Sequence, residues 1–341
     1  MVTRADSPID KRKICIATIT RGRPTMLATL LDSLSALQGR ADWELCILIV
    51  DNDVGGAARA PVEKFRREAS DAEVRYRIEP REGIPFARNT AMDCANEWGA
   101  DYLAFVDDDE TVEAGWLLQM MNAVSCRHLD LVGGPVRCGG LVAAKPPNWW
   151  ERLLFKGIRR RYHFKERAIR LRARRGAGAD IVIVTNNWLL DLSWQRRFGV
   201  RFDERLRYSG GSDAAFYRDA KALGIRSGWC ETAVVYESVH GSRVKLGYQF
   251  HRARSQSIAS FNRNHNKLTG TAGFLAMGSV LLKTGGCVLC LLMLPVLPGY
   301  SLVQLCRQGG WMVPRRRYSR STASCGAPYR PACRGRRGRH I

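Results

Sequence analysis

The feature that most limits what this chain can fold into is an alternation along its first 130 or so residues. Apolar runs of strand length alternate with stretches whose apolar residues recur at helical spacing. Lys13–Thr20 (KICIATIT) is β-branched and apolar between polar flanks, as a strand buried on both faces reads. Pro24 then stands where a first helical turn accepts it, and Met26, Leu27, Leu30, Leu31, Leu34 and Leu37 follow at helical spacing. Glu44–Val50, a helix across roughly 58–69, and Val74–Ile78 continue the series. A loop over Glu82–Asn89 enters a helix running to about Trp98; the run from Tyr102 and a helix around 114–124 complete it. This order predicts a mostly parallel α/β sheet with helices on both faces. In such sheets ligands lie beyond the carboxyl ends of the strands.

Two acidic groups fall at those ends. Glu44–Val50 delivers Asp51-Asn-Asp53, and Tyr102–Glu110 (YLAFVDDDE) ends in Asp107, Asp108 and Asp109. In an extended backbone Asp107 and Asp109 share a face. Two carboxylates about 4 Å apart repel by roughly 4 kcal/mol at an effective dielectric near 20. Such a cluster calls for a cation or a web of donors; a solvated acidic turn is the plainer alternative. A strand-end carboxylate cluster can hold Mg²⁺ or Mn²⁺ against a diphosphate. Neither GxGxxG after the first strand nor GxxxxGK[ST] anywhere is present, which argues against a dinucleotide fold of the usual kind and against a P-loop.

Charge narrows the partners. The net charge of +22 is concentrated in two segments: residues 151–175 carry +9 and residues 307–341 carry +10. The remainder is close to neutral, so the basic character is local and suits an anionic surface. Few aromatics accompany the first segment and no zinc-finger or RNA-recognition signature occurs, so nucleic acid is not the expected partner. The eleven cysteines show no disulfide framework, which suits a reducing cytoplasm; Cys287-x-x-Cys290 lies in an apolar stretch without a second pair. The N-terminal MVTRADSPIDKRK has no apolar core, so no signal peptide is expected.

Farther along, Leu129–Val136 reads as one strand and residues 137–180 as an Arg-rich loop entered by Pro146-Pro-Asn-Trp-Trp150. A strand-like run follows at 180–187, then a helix to about Phe198, a helix at 214–223 opened by Ser209-Gly-Gly-Ser-Asp213, and a strand at about Trp229–Tyr236. Residues 245–261 are amphipathic and basic. Thr284–Cys306 has no charge over 23 residues, enough to cross about 30 Å of hydrocarbon as a helix, although Pro295 and Pro298 would kink it. A span, a re-entrant hairpin and an interfacial pair are all compatible with it, as is a greasy docking helix. The tail after Arg307 reads as disordered.

Five motifs in order, KICIATITRGRP, LIVDND, REGIPFARNTAM, AFVDDDE and TNNWLL…RFDERL…GGSDAAFYRDAKALG, make residues 11–265 resemble family-2 glycosyltransferases of the GT-A fold. The likeness is to the bacterial exopolysaccharide type that extends a lipid-linked saccharide, as in succinoglycan assembly. The resemblance implies a Rossmann-like sheet and an inverting transfer of a hexose, glucose first among them, from a UDP-linked donor. It implies that Thr18 lines the nucleotide pocket, that Asp51 accepts from the base and that Arg88 lies near the base or diphosphate. Asp107 would sit by ribose and metal with Asp108 beside it, Asp109 would ligate Mg²⁺ or Mn²⁺, and Asp213 would be the general base. Ser212 stands where the family usually has Glu, and His240 is the nearest match to a late metal-ligating His, with a plain loop histidine as the alternative. Trp149 and Trp150 would stack on acceptor sugars or anchor a loop at a membrane interface.

The expected organisation is an extension (1–12), a GT-A domain (13–265) with a donor half (13–136) and an acceptor half (137–265), a membrane-associated apolar segment (266–306) and a basic tail (307–341). The expected place is the cytoplasmic face of the inner membrane, peripheral or with one span. The competing reading is a non-catalytic membrane-bound partner with a degenerate transferase fold, which Ser212 favours.

Overall fold

The computed structural model describes residues 11–143, 145–174, 181–207, 210–265 and 286–312. Strands β1 (Lys13–Thr20), β2 (Glu44–Asp51), β3 (Glu73–Ile78) and β4 (Tyr102–Val106) run parallel, separated by helices α1 (Pro24–Ser35), α2 (Arg59–Glu68) and α3 (Ile84–Glu97). Past β4 come β5 (Glu110–Val112), α4 (Trp116–Arg127), β6 (Leu131–Gly133), β7 (Val136–Val142) and α5 (Trp149–Arg174). The chain continues through β8 (Asn187–Asp191), α6 (Leu192–Phe198), α7 (Ser212–Ala222), β9 (Ser227–Trp229), β10 (Val235–His240), α8 (Leu246–His265) and α9 (Pro298–Met312).

The main sheet has the order β3-β2-β1-β4-β8-β6-β9, in which only β8 runs against its neighbours. Alternate residues of the inner strands feed opposite cores, as a period of two requires. Ile14, Ile16, Ile47 and Ile49 pack with Leu27, Leu30, Leu31 and Leu34 of α1 and with Trp116 of α4. Cys15, Ala17, Leu48 and Val50 face Ala87 and Ala91 of α3, with Trp188 and Phe216 beyond. Burial on both faces is why these strands read as unbroken apolar runs. A second sheet, β5-β10-β7, stands at the carboxyl end of β4.

The structure departs from the sequence expectation in the second half. The single strand over 129–136 is two strands in different sheets: β6 pairs with β8 and β9, whereas β7 pairs with β10. The break falls at Gly134-Pro135. A Cβ on Gly134 would lie 2.1 Å from the Ala233 carbonyl oxygen, so only glycine lets the two backbones meet there, and Pro135 has no N–H for a ladder. The apolar run 181–186 is not a strand; the strand is β8, and α6 follows it directly. The expected strand at 229–236 likewise divides into β9 and β10.

Of the loop expected over 137–180, the described residues are largely regular structure. β7 occupies their start and α5 is a helix of 26 residues. Its Arg, Lys, Leu and Ala are good helix formers, and the apolar stripe is narrow: Leu154 and Ile158 are buried and Tyr162 partly so, each four residues from the last. Together with Val239, Val244 and Val303 they make a third core joining α5, β10 and α9.

The expected boundary between an apolar segment and a tail at residue 307 is crossed by α9, which is helical through Met312. The uncharged stretch does not form one helix: residues 286–292 are helical, the chain then turns, and Pro298 opens α9. No helix among the described residues is long and apolar enough to cross a membrane. The apolar run at 268–282 and the tail beyond 312 lie outside the described residues.

Helices α5 and α9 touch backbone to backbone. A Cβ on Gly157 would lie 2.1 Å from the Gly299 carbonyl oxygen, and one on Gly299 equally close to that of Leu153. Gly157→Ala is therefore expected to cost about 1–3 kcal/mol through overpacking. Hydrogen exchange should speed up across 298–312 while the amides of β1 and β2 stay protected.

Candidate active site

Strand β4 stops at Val106, and Asp107–Asp109 form a turn rather than an extension of the strand. The turn is closed by Glu110 N donating to the Asp107 carbonyl at 3.1 Å and by Asp107 N donating to Glu110 Oε2 at 3.0 Å. The alternation that would set Asp107 and Asp109 on one face therefore does not apply, and each carboxylate meets a different environment. Asp108 is buried and accepts from Thr20 Oγ1 at 2.8 Å and from Arg23 Nη1 at 3.0 Å. Asp109 is held by Arg243 at 2.5 Å, with Arg23 3.7 Å away. The Asp107 carboxylate, half-buried, receives no hydrogen bond from the described residues, and burial pushes it up to about 7 against the pull of Arg88. Burial also raises Asp108, despite Arg23 and Thr20, and raises Glu110, which faces Asp107.

Asp213 opens α7 opposite this turn. Arg88 of α3 ion-pairs with it and donates to Ser212 Oγ at 3.0 Å, its guanidinium lying 5.4 Å from the Phe202 ring. Burial would raise the Asp213 carboxyl, but the charge and hydrogen bond of Arg88, with Ser212 Oγ donating at 3.1 Å, hold it below the usual carboxylate range. Arg88 thus sits with Asp213 and beside Asp107.

Asp51, fully buried at the end of β2, accepts from Asp53 N and Ala58 N at 3.2 Å each and from Tyr76 Oη at 2.8 Å. A carboxylate offers about four acceptor directions, so one remains for a further donor. Asn52 beside it donates to the Glu79 and Arg81 carbonyls and accepts from Gly83 N, locking the loop that enters α3. Thr18 on β1 is buried and its hydroxyl has no hydrogen-bond partner among the described residues. Trp149 and Trp150 lie on the first turn of α5, edge to face with centroids 5.3 Å apart, and Trp149 is 73 % exposed.

A cavity of about 370 Å³, the size of a small-ligand pocket, opens between the turn before α1 and the end of β10. Arg23, Met26, His240, Arg243 and Tyr248 line it, so its floor holds the two arginines that bind Asp108 and Asp109. His240 Nε2 is buried there without a hydrogen-bond partner among the described residues.

The three expected metal ligands do not converge: no group of three or more Asp, Glu, His or Cys among the described residues is set to hold an ion. The physical reason is Arg243, whose guanidinium lies between Asp109 and Glu237 and is itself the cation there. The donor set still suits a hard divalent ion of the kind held by one or two carboxylates plus substrate phosphates. Asp107 is an unpartnered carboxylate beside Asp109, and His240 offers an orphaned nitrogen. Arg243 and Glu237 were not singled out as site residues from the sequence; their only signal was charge at the end of an apolar strand.

The sheet order and the strand-end carboxylates, set against a second sheet and an acid-led helix, make an α/β frame with its candidate site beyond the carboxyl ends of the parallel strands. The sequence model of Glycosyl transferase family 2 matches residues 14–183. The succinoglycan biosynthesis protein ExoM of Rhizobium meliloti (strain 1021) is 30 % identical over 241 residues, 71 % of this chain and 72 % of that protein. The chain belongs to glycosyl transferase family 2 and is a glycosyltransferase. Among solved structures, the mannosyltransferase PcManGT of Pyrobaculum calidifontis shares the fold, with a TM-score of 0.52 at 14 % identity over 90 % of this chain and 76 % of that one. S. aureus TarS scores 0.47 at 16 % identity over 77 % of this chain, which spans only 45 % of TarS.

Replacing Arg88 by Met would leave Asp213 buried without its cation. With burial then unopposed, its carboxyl is expected to titrate higher than in the wild type in a ¹³C NMR titration of the side-chain carboxylates.

Proposed function

We propose that the chain moves a hexose, glucose in the first instance, from UDP to a lipid-linked saccharide, with inversion, at the cytoplasmic face of the inner membrane. One observation carries the reading: an ion-paired Asp213 faces the Asp107–Glu110 turn across Arg88, which is near both. The relative ExoM, named for succinoglycan biosynthesis, supports an exopolysaccharide acceptor. PcManGT, solved with GDP-Man and Mn²⁺, supports a nucleotide-sugar donor and a divalent ion.

In this reading the acceptor hydroxyl displaces Arg88 from one oxygen of Asp213, which takes the proton as the new bond forms. The O–H electron pair becomes the bond to the anomeric carbon, the bond from that carbon to the diphosphate breaks, and the nucleoside diphosphate leaves. Arg23 and Arg243, lining the pocket, take up charge on the leaving diphosphate. Thr18, Asp51 and Asp108 shape the nucleotide side, Asp108 through Thr20 and Arg23. Trp149 and Trp150 offer exposed rings to acceptor sugars. A Mg²⁺ or Mn²⁺ ion held by Asp109 and Asp107 would supply Lewis-acid stabilisation of the leaving group.

Attachment to the membrane surface rests on two neighbouring features. Val288, Leu289, Leu291, Leu292 and Val296 are exposed, Leu292 by 72 %. Helix α5, which packs against α9, is dense in Arg and Lys, as anionic headgroups favour.

Asp213→Asn is expected to lower transfer from UDP-glucose to membrane acceptors by about 10²–10⁴-fold while UDP still binds. Full activity in that variant overturns the mechanism. Asp109→Asn should abolish the Mn²⁺-dependent increment of UDP affinity measured by calorimetry; an unchanged increment removes Asp109 from the metal site.

A further inference from the structure

Beyond the carboxylate turn, the guanidinium groups of Arg161 (α5), Arg252 (α8) and Arg307 (α9) converge on a second cavity. It measures about 30 Å³, roughly twice the room one water needs, and Tyr162 and Gln249 complete its polar lining. Arg161 and Arg252 are half-buried, Arg307 is 7 % exposed, and no ion pair reaches Arg161 or Arg252 among the described residues. Arg307 donates to Gln249 Oε1 at 3.3 Å, and Gln249 donates in turn to the Arg243 carbonyl at 2.8 Å. The nearby carboxylate, Glu237, is engaged elsewhere, accepting from Tyr162 Oη at 2.6 Å and pairing with Arg243. Burial lowers Arg307 to about 10, with the charges of Arg161 and Arg252 acting in the same direction. Like charges gathered out of water repel unless an anion joins them, and guanidinium forks match phosphate oxygens in pairs.

We propose that Arg161, Arg252 and Arg307 bind a phosphate group separate from the donor's diphosphate, that of the lipid-linked acceptor. Apart from Arg243, the two cavities have no lining residue in common. Arg243 lines both cavities, one toward the Asp109 turn and the other among α5, α8 and α9. The small cavity admits phosphoryl oxygens rather than a nucleotide. The anion site stands on its own geometry; its assignment to the acceptor rests on the transferase reading above and on the exposed apolar residues of 288–296, which lead into α9.

The test is calorimetric titration of the full chain with inorganic pyrophosphate in metal-free buffer, with and without saturating UDP. Pyrophosphate is expected to bind in the presence of UDP, and R161M/R252M to weaken that binding at least tenfold with UDP affinity unchanged. Loss of pyrophosphate binding when UDP saturates overturns the proposal on the wild-type chain alone, whether or not the double variant folds. Equal pyrophosphate binding by a folded double variant overturns it too. If pyrophosphate binds but UDP does not, the donor reading fails while the anion site survives. Farnesyl diphosphate binding that is lost in R161M/R252M supports the acceptor assignment. If only phosphatidylglycerol vesicles show that loss, the acceptor assignment is overturned in favour of a headgroup.

Discussion

Carboxylates crowded at the end of a buried strand lose hydration and repel one another, and the surroundings of the Asp107–Glu110 turn oppose that cost. Three arginines from distant parts of the chain meet it: Arg23 before α1 at Asp108, Arg243 after β10 at Asp109, and Arg88 from α3 near Asp107 and at Asp213. The last two contacts join residues 134 and 125 positions apart. The pairing of β10 with β5 and the bond from Ser238 N to the Asp109 carbonyl bring the second sheet to the same place. The site and the joint between the two sheets are one structure. Removing either member of such a pair leaves an uncompensated buried charge, which is why these positions constrain one another.

The three aspartates are chemically unequal. Asp108 is tied by Thr20 and Arg23 and serves the architecture of the turn. Asp109 is shared between Arg243 and Arg23. Asp107 alone carries no hydrogen bond to its carboxylate among the described residues and is raised toward neutrality by burial. A cation brought to the turn would relieve Asp107 most, because Arg88 lowers it only from a distance and no described residue donates a hydrogen bond to it.

Much of the donor half was legible from local pattern. β1 to β4, α1 and α2 fall within a residue or two of the runs read from the sequence, because each is a short element whose periodicity is set by faces it buries itself; α3 instead begins at Ile84, inside the stretch read as a loop. The second half was less so. The stripe on α5 is three residues wide in a sea of arginine, and a charged surround hides a helix that buries little. The division of 129–136 into β6 and β7 depends on how closely Ala233 approaches Gly134, a distance no local pattern contains. The run 181–186 has strand composition, yet the strand forms at 187–191, where Trp188 and Leu190 meet Phe105 and Leu103 of β4. Of the candidate site, the acids were visible as residue types at strand and helix ends. Their arginine partners were less so: Arg88 came with the family resemblance as a donor-side residue and not as the partner of Asp213, and Arg243 looks like any other charge among many.

The sequence by itself determined which acids stand at the ends of elements, because strand and helix termini follow from local periodicity and from Pro and Gly. It also determined that β1, β2 and β4 are covered on both faces, since strands covered in that way are apolar at successive positions, whereas the edge strand β3 alternates charged and apolar residues. The tertiary structure decided which acid faces which cation, that the DDDE segment is a turn and that α9 closes on α5. Those outcomes depend on distances between segments more than a hundred residues apart, and on the desolvation that burial imposes once they meet.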